Sequence, residues 1–139
     1  MTTDERESFL AGLHVGVLSV ESADGPPLTV PIWYAYTPGG DVEIITGGAS
    51  LKGRFIDRAG RFSLCAQTEE PPYRYVSVSG PVVSTEATRR EEHLRPMARR
   101  YLGEAMGDAY VGEAPEVDEE SLVIRMRPER WWSVDYGKA

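Results

Sequence analysis

Short turn-forming segments cut most of this chain into β-strand patterns, and that spacing limits the possible folds more than any other feature. A β-branched pattern at 14–21 ends in Ala-Asp-Gly-Pro-Pro, a second at 28–36 ends in Pro-Gly-Gly-Asp, and a third follows at 42–46. Because a parallel crossover needs a dozen or more residues, connections this short favour antiparallel neighbours. We therefore predict an antiparallel meander at the start of the chain.

Strand patterns also outnumber helical patterns in the rest of the chain. Further strands are predicted at 61–67, 73–85, 122–126 and 131–136. Helices are predicted at 8–12, after Ser50 and over 88–105. In the last of these, Thr88 and Glu91 fit a capping box, and Pro96 predicts a kink or break near 92–95. Since strands dominate, we predict a mostly β protein with two or three short helices. Unpaired edge strands invite association, so the sheet should close into an antiparallel barrel or pair with another chain, and a small barrel is the simpler solution.

The composition fits one folded domain spanning residues 1–139. Hydrophobic residues make up 41% of the chain, and no stretch approaches the roughly 20 apolar residues of a membrane-spanning helix. A net charge of -7 argues against nucleic-acid binding, which depends on neutralising phosphates. The start of the chain does not resemble a signal peptide, so we expect a cytoplasmic protein. Cys65, the single cysteine, lies in an apolar run and is interpreted as a buried thiol.

The segment 46–54, Thr-Gly-Gly-Ala-Ser-Leu-Lys-Gly-Arg, carries the strongest indication of a ligand site. A strand end leads through a glycine pair into a helix whose free amides and positive dipole end favour an anion. The residues that could face one phosphate there are Thr46, Ser50, Lys52 and Arg54. A capped surface helix with solvated basic side chains is the other interpretation, and the spacing alone does not exclude it.

The order Thr-Gly-x-x-Ser-x-Lys-x-Arg after a strand resembles the phosphate-binding segment of a known superfamily. This is the pyridoxamine 5'-phosphate oxidase-like, flavin-binding split-barrel superfamily. Other segments resemble it in the same order along nearly the whole chain, at 9–11, 17–20, 24–27, 30–34, 61–65, 71–74 and 127–132. The segments 99–103 and 135–138 are most similar to the branch that uses the deazaflavin coenzyme F420.

The resemblance implies an antiparallel Greek-key split β-barrel that forms a homodimer, with a phosphorylated cofactor in each cleft between the subunits. Its phosphate would be bound by Thr46, Ser50, Lys52 and Arg54. The ring system would lie along Val30, Pro31 and Trp33 of the neighbouring strand. Tyr73 and Arg74 would reach across to the partner's cofactor, or would form a solvent-facing loop. Phe55 stands where the family usually has asparagine, which removes one polar contact.

An oxidoreductase that transfers hydride between coenzyme F420 and a small organic substrate is the implied function. FMN is the alternative cofactor, because it shares the ribityl phosphate and would use the same anchor. No catalytic acid or base is assigned, although Tyr73 or Tyr75 could donate a proton. The chain shows no counterpart of the C-terminal arginine and histidine of true pyridoxamine phosphate oxidases, so vitamin B6 oxidation is not expected. A non-catalytic cofactor- or haem-binding protein is the alternative from a different class.

The remaining aromatic and histidine side chains have structural interpretations as well. Trp33, Trp131 and Trp132 could stack on a ring or enclose an apolar substrate, but tryptophan in a strand is more often part of a core or a dimer interface. The spacing of His14 and His93 does not suggest a metal site, and His93 is predicted on the surface of a helix.

Overall fold

Residues 1–138, which the computed structural model describes, form eight β-strands, four α-helices and one π-helical turn. The strands are β1 (Gly16–Val20), β2 (Leu28–Ile32), β3 (Tyr34–Tyr36), β4 (Val42–Gly47), β5 (Arg61–Gln67), β6 (Arg74–Arg89), β7 (Val117–Met126) and β8 (Arg130–Asp135). The helices are α1 (Thr3–Ala11), α2 (Leu51–Ala59), α3 (Arg95–Leu102) and α4 (Glu104–Val111), and the π-helical turn is Arg90–Leu94. The predicted mostly β fold is confirmed.

All strand pairs are antiparallel, in the order β2-β1-β5-β6-β7-β4-β3, and β8 pairs with the first half of β6. The strands at the two ends of this order, β2 and β3, are separated in the chain only by Trp33. The predicted strand 28–36 is therefore two strands, of which the first pairs with β1 and the second with β4. This change of partner curls the sheet into a split barrel.

The strand changes partner because a distant side chain occupies the next position of the ladder. Gly16 pairs with Ile32, so an unbroken ladder would place His14 opposite Tyr34. The Tyr101 hydroxyl lies there instead, accepting the Tyr34 N–H at 3.0 Å and donating to the His14 carbonyl at 2.6 Å. Both backbone groups are thus satisfied without a strand partner. Local sequence patterns do not reveal this interruption, because Tyr101 comes from α3.

The barrel interior is filled by alternate side chains of the strands and closed by two helices. The fully buried strand residues include Leu18, Val42, Ile44, Leu64, Val76, Val78, Val123 and Met126. Helix α1 contributes Phe9 and Leu10 to this core, and α2 contributes Ile56. Each large side chain removed from water stabilises the fold by about 1.5 to 3 kcal/mol. Helix α1 begins earlier than the predicted 8–12, because Thr2 and Glu5 form a capping box.

The helical segment after β6 differs from its prediction at both ends. The predicted capping box is wrong, since Thr88 belongs to β6 and its hydroxyl lies 2.9 Å from that of Ser121. The predicted irregularity near 92–95 is present as the π-helical turn, which changes to α-helix at Arg95, with Pro96 in the first turn, where its missing N–H is tolerated. Gly103, with φ of 83°, then separates α3 from α4. No helix within residues 1–138 is long and apolar enough to span a membrane.

Candidate functional site

The end of β4 and the start of α2 form one compact turn. Thr46 is almost fully buried, and its hydroxyl lies 3.2 Å from that of Ser50. Ser50 caps α2 by accepting the Gly53 N–H at 3.1 Å and donates to the Gly47 carbonyl at 2.7 Å. The two predicted hydroxyl residues are therefore brought together, and they hold the chain where it enters the helix.

The two predicted cations lie on the first turn of this helix and lack acidic partners. Arg54 is exposed and Lys52 is partly exposed, and within residues 1–138 neither forms an ion pair, whereas most other arginines do. The first turn of α2 contains no acidic residue. Its unpaired amides and dipole add further positive potential. This turn is therefore suited to bind an anion such as a phosphate group.

The glycine that this turn requires is Gly53, whereas the sequence suggests the pair at 47–48. The glycine pair at 47–48 is predicted to admit a ligand, and a Cβ on Gly47 would have its nearest neighbour at 3.9 Å. A Cβ on Gly53 would lie 2.3 Å from the Gly47 carbonyl oxygen, and one on Gly48 would lie 3.2 Å from Leu122. Gly53 therefore allows helix and turn to pack closely. A glycine inside a helical pattern is the sequence signal for this role.

A gap without ladder hydrogen bonds runs beside this turn, and we call it the split. It lies between β2 and residues 45–47 of β4, because β3 stops pairing with β4 at the Tyr34–Ile44 pair and β2 has only β1 as a strand neighbour within residues 1–138. Val30 faces the barrel interior and Pro31 the outside, so the two side chains lie on opposite faces of β2. Trp33 stands at the end of the split, where β2 gives way to β3.

Trp33 is held by aromatic residues of two helices. Its ring stacks on Tyr101 with centroids 5.0 Å apart and planes 4° from parallel, and the Tyr110 ring lies 5.4 Å away. Arg100 braces the same region by donating to the Gly12 carbonyl at 2.8 Å and to the Tyr34 carbonyl at 3.2 Å. Tyr101 and Tyr110 did not emerge as site residues from the sequence, because the first fits an apolar helix stripe and the second lies beyond the predicted helix 88–105, where no element was predicted.

Tyr73 and Arg74 lie far from the turn that holds Lys52. Arg74 begins β6, whereas Ala87, near the other end of that strand, pairs with Leu122, the partner of Thr46. At about 3.3 Å per residue, the intervening strand spans roughly 40 Å. The Arg74 guanidinium instead lies 5.1 Å from the Phe9 ring centroid and lines a cleft of about 650 Å³. Within one chain, Arg74 therefore lies at the opposite end of β6 from the turn that holds Lys52 and Arg54.

The same cleft contains His14, whose side chain is constrained by α1. Its ring stacks on Phe9 with centroids 4.4 Å apart, and its Nε2 lies 3.0 Å from the Phe9 carbonyl oxygen. Partial burial, with a smaller contribution from Arg74 and Arg100, lowers the pKa of His14. The neutral imidazole is therefore favoured beside these arginines.

His93 is buried rather than on the helix surface, so that prediction is wrong. Its Nδ1 accepts the Arg89 N–H at 2.9 Å, and its Nε2 lies 2.9 Å from a carboxylate oxygen of Glu86. Glu92 lies close enough to complete a set of three possible metal ligands. However, an Nδ1 that accepts a hydrogen bond leaves the ring proton on Nε2, which then cannot bind a metal. We interpret His93 as a structural residue that ties the π-helical turn to β6.

Comparison with known proteins assigns this architecture to a family. Residues 2–135 match the sequence model of pyridoxamine 5'-phosphate oxidase, and the comparison with curated proteins gives no match. An F420 reductase structure superposes with a TM-score of 0.75 at 23% identity, covering 91% of this chain and 94% of its own. For a conserved hypothetical protein from Mycobacterium tuberculosis, the TM-score is 0.70 at 23% identity, covering 98% of this chain and 86% of that one.

An FAD-binding protein from Mesorhizobium loti superposes with a TM-score of 0.63 at 18% identity, covering 96% of this chain and 93% of its own. At these identities the structural likenesses show a common fold. The sequence model, in contrast, spans nearly the whole chain. The chain therefore belongs to the pyridoxamine 5'-phosphate oxidase family.

Proposed function

We propose that this protein is a homodimeric oxidoreductase that binds coenzyme F420 in the split and transfers hydride between it and a small organic substrate. The observation that carries the proposal is the pair of cations on the first turn of α2. Lys52 and Arg54 have no carboxylate partner within residues 1–138, in a chain whose net charge is -7. Two unpaired cations beside free helix amides contribute little to the stability of the fold, whereas they are favourable for binding a phosphate.

The residues along the split fit the rest of a flat, phosphorylated cofactor. Lys52 and Arg54 would bind the phosphate, while Ser50, whose hydroxyl donates to the Gly47 carbonyl, and the buried Thr46 would hold the turn in place. The ring system would lie along the β2 backbone at Val30 and Pro31 and reach Trp33. When bound, such a cofactor supplies hydride chemistry, while the protein orients it and excludes water. Orientation and shielding are the tasks that these residues can perform.

A dimer would complete the site, and the outside of the sheet offers a surface for it. The outer face consists of small, partly exposed side chains on β1, β5 and β6, namely Val17, Ser19, Ser63, Cys65, Ser77 and Ser79. Trp132, 56% exposed, lies beside it on β8. Cys65, predicted as a buried thiol, is only half-buried, and burial raises its pKa. Two copies packed through this outer face would cover it, and Tyr73 and Arg74 would contact the partner's split.

The preference for F420 over FMN is supported by the segment 99–103 and by the likeness to the F420 reductase. Arg100 and Tyr101 of that segment brace the end of the split, so their resemblance concerns the site itself. The phosphate anchor would serve FMN equally well, and FMN remains the second candidate.

Titration of the cofactor-free protein with F420 and with FMN tests the proposal. Cofactor fluorescence and sedimentation should be followed in the same samples. We expect F420 to bind more tightly and the protein to sediment as a dimer. A clear preference for FMN would show that FMN is the cofactor, and the proposed oxidoreductase function would stand. Binding of neither, or full-affinity binding by a monomer, would contradict the shared site.

A further inference from the structure

Apolar side chains remain exposed beside the split on helix α4. Tyr110 is 60% and Met106 is 64% exposed, and their i, i+4 spacing places them on one face of the helix. The Tyr110 ring lies 5.4 Å from that of Trp33, which is itself partly exposed. We call these three side chains, Trp33, Met106 and Tyr110, the aromatic platform.

Trp33 and the backbone of α4 are held rigidly from below. Tyr101 stacks on Trp33, and its hydroxyl is fixed by the backbone of His14 and Tyr34. Helix α4 packs so closely on α3 that a Cβ on Gly107 would lie 2.7 Å from the Arg99 backbone. Asp108 binds Arg99 and Arg95 at 2.7 to 2.9 Å. An exposed aromatic surface that is fixed in this way loses little conformational entropy when a ligand stacks on it.

We propose that the aromatic platform binds the planar, apolar part of the substrate. The inference rests on the proposed function, because it places the ligand at the end of the split that would hold the cofactor ring. Three side chains offer far less than the roughly 800 Å² per partner that a stable protein interface buries, so the area suits a small molecule. The partly exposed Trp33 ring and the exposed Tyr110 ring, tilted by 53° to one another, favour a flat, conjugated ligand over a puckered one of equal size.

Two ten-carbon alcohols, planar 2-naphthol and non-planar 2-decalol, serve as probes. Their affinities are measured by calorimetry on the full chain as wild type, Tyr110→Ala, Tyr110→Phe and Val83→Ala. Val83 is the control, because it is another exposed apolar side chain, 42% exposed, and lies on β6. We expect 2-naphthol to bind better than 2-decalol. Tyr110→Ala should weaken 2-naphthol binding by about five- to tenfold, while Tyr110→Phe and Val83→Ala retain it.

Equal binding of the two alcohols, or unchanged 2-naphthol affinity in Tyr110→Ala, would contradict ligand binding at the platform. If the wild type is a dimer and Tyr110→Ala is a monomer, the surface is a subunit contact and the proposal also fails. Titrations of the same variants with F420 and FMN separate this inference from the proposed function. If wild type binds neither cofactor, the proposed function fails, and the alcohols still report on the platform. If cofactor affinity is normal in Tyr110→Ala and 2-naphthol affinity falls, the platform is supported.

Discussion

Lys52 and Arg54 are better placed to bind a ligand than to stabilise the fold. The buried residues of α2 are Gly53 and Ile56, and both cations lie outside that set. An exposed basic side chain without a partner contributes little to the free energy of unfolding. The value of these two charges therefore depends on whether a phosphate is present.

The double substitution Lys52→Ala with Arg54→Ala should weaken cofactor binding by about a hundredfold to ten-thousandfold, if each charged hydrogen bond contributes independently. The melting temperature of the cofactor-free protein should hardly change. Arg58→Ala is the control. Arg58 is a cation on the same helix, one turn beyond Arg54, and its guanidinium lies over the Phe55 ring. If cofactor affinity is unchanged in the double variant, these residues do not bind the phosphate. If the melting temperature falls strongly, their role is structural.

Tyr101 presents the opposite case, a side chain whose hydroxyl shapes the backbone around the split. Tyr101→Phe leaves the Tyr34 N–H and the His14 carbonyl without this partner, which should lower the free energy of unfolding by about 1 to 3 kcal/mol. Cofactor affinity should also fall, because the ring that stacks on Trp33 loses its hydroxyl anchor to the backbone. Tyr110→Phe is the matched control, since the Tyr110 hydroxyl has no hydrogen bond within residues 1–138. Denaturant unfolding and cofactor titration decide the matter, and equal behaviour of the two variants would contradict it.

At the level of elements, α2 packs closely on the turn before it only because Gly53 has no side chain. Gly53→Ala would insert a methyl group against the Gly47 carbonyl, so it should destabilise the protein and reduce cofactor affinity, although alanine is the better helix former. Gly47→Ala, which meets nothing closer than 3.9 Å, should leave the free energy of unfolding nearly unchanged. Urea unfolding of both variants provides the comparison. A more stable Gly53→Ala would show that helix propensity outweighs the close contact.

The elements that the sequence predicts well are those determined by their own residues. Strand 61–67 and the Ser50-capped helix were predicted in place, because strand alternation and helix capping are local patterns. The interruption at Trp33 and the burial of His93 depend on contacts with residues distant in the chain or with an unforeseen π-helical turn. The residues of the candidate site also fall into these two groups. Lys52 and Arg54 follow from a local pattern, whereas Tyr101 and Tyr110 reach Trp33 only after folding.

The α3–α4 pair should lose stability in acid. Hydrogen bonds from Arg99 and Arg95 lower the pKa of Asp108 to about 2, and those from Arg95 and Arg90 lower the pKa of Glu91 to about 2. Unfolded carboxyls titrate near pH 4, so between about pH 4 and 2 the unfolded chain binds more protons. The free energy of unfolding therefore falls as the pH decreases through that window. Asp108→Asn should show a shallower fall in denaturant unfolding, and an unchanged slope would contradict this assignment.

On the scale of the whole molecule, β6 pairs with strands of both halves of the sheet. Its 16 residues pair with β5 and β8 at one end and with β7 at the other. Arg74 begins this strand, and Ala87 near its end lies across β7 from Thr46. If the protein dimerises as proposed, each chain supplies the phosphate turn of one site and the Arg74 end of the other.

If one strand contributes to two sites, mixing subunits of two defective variants should restore a functional site. The Lys52→Ala, Arg54→Ala double variant and an Arg74→Ala variant should each bind cofactor weakly. When equal amounts exchange subunits, about half of the dimers are mixed, and each mixed dimer has one site whose contributing segments are both native. About a quarter of all sites should then regain wild-type affinity, measured as a tight phase in a cofactor titration. Without such recovery, Arg74 would not belong to the partner's site, and each barrel would bind its cofactor alone.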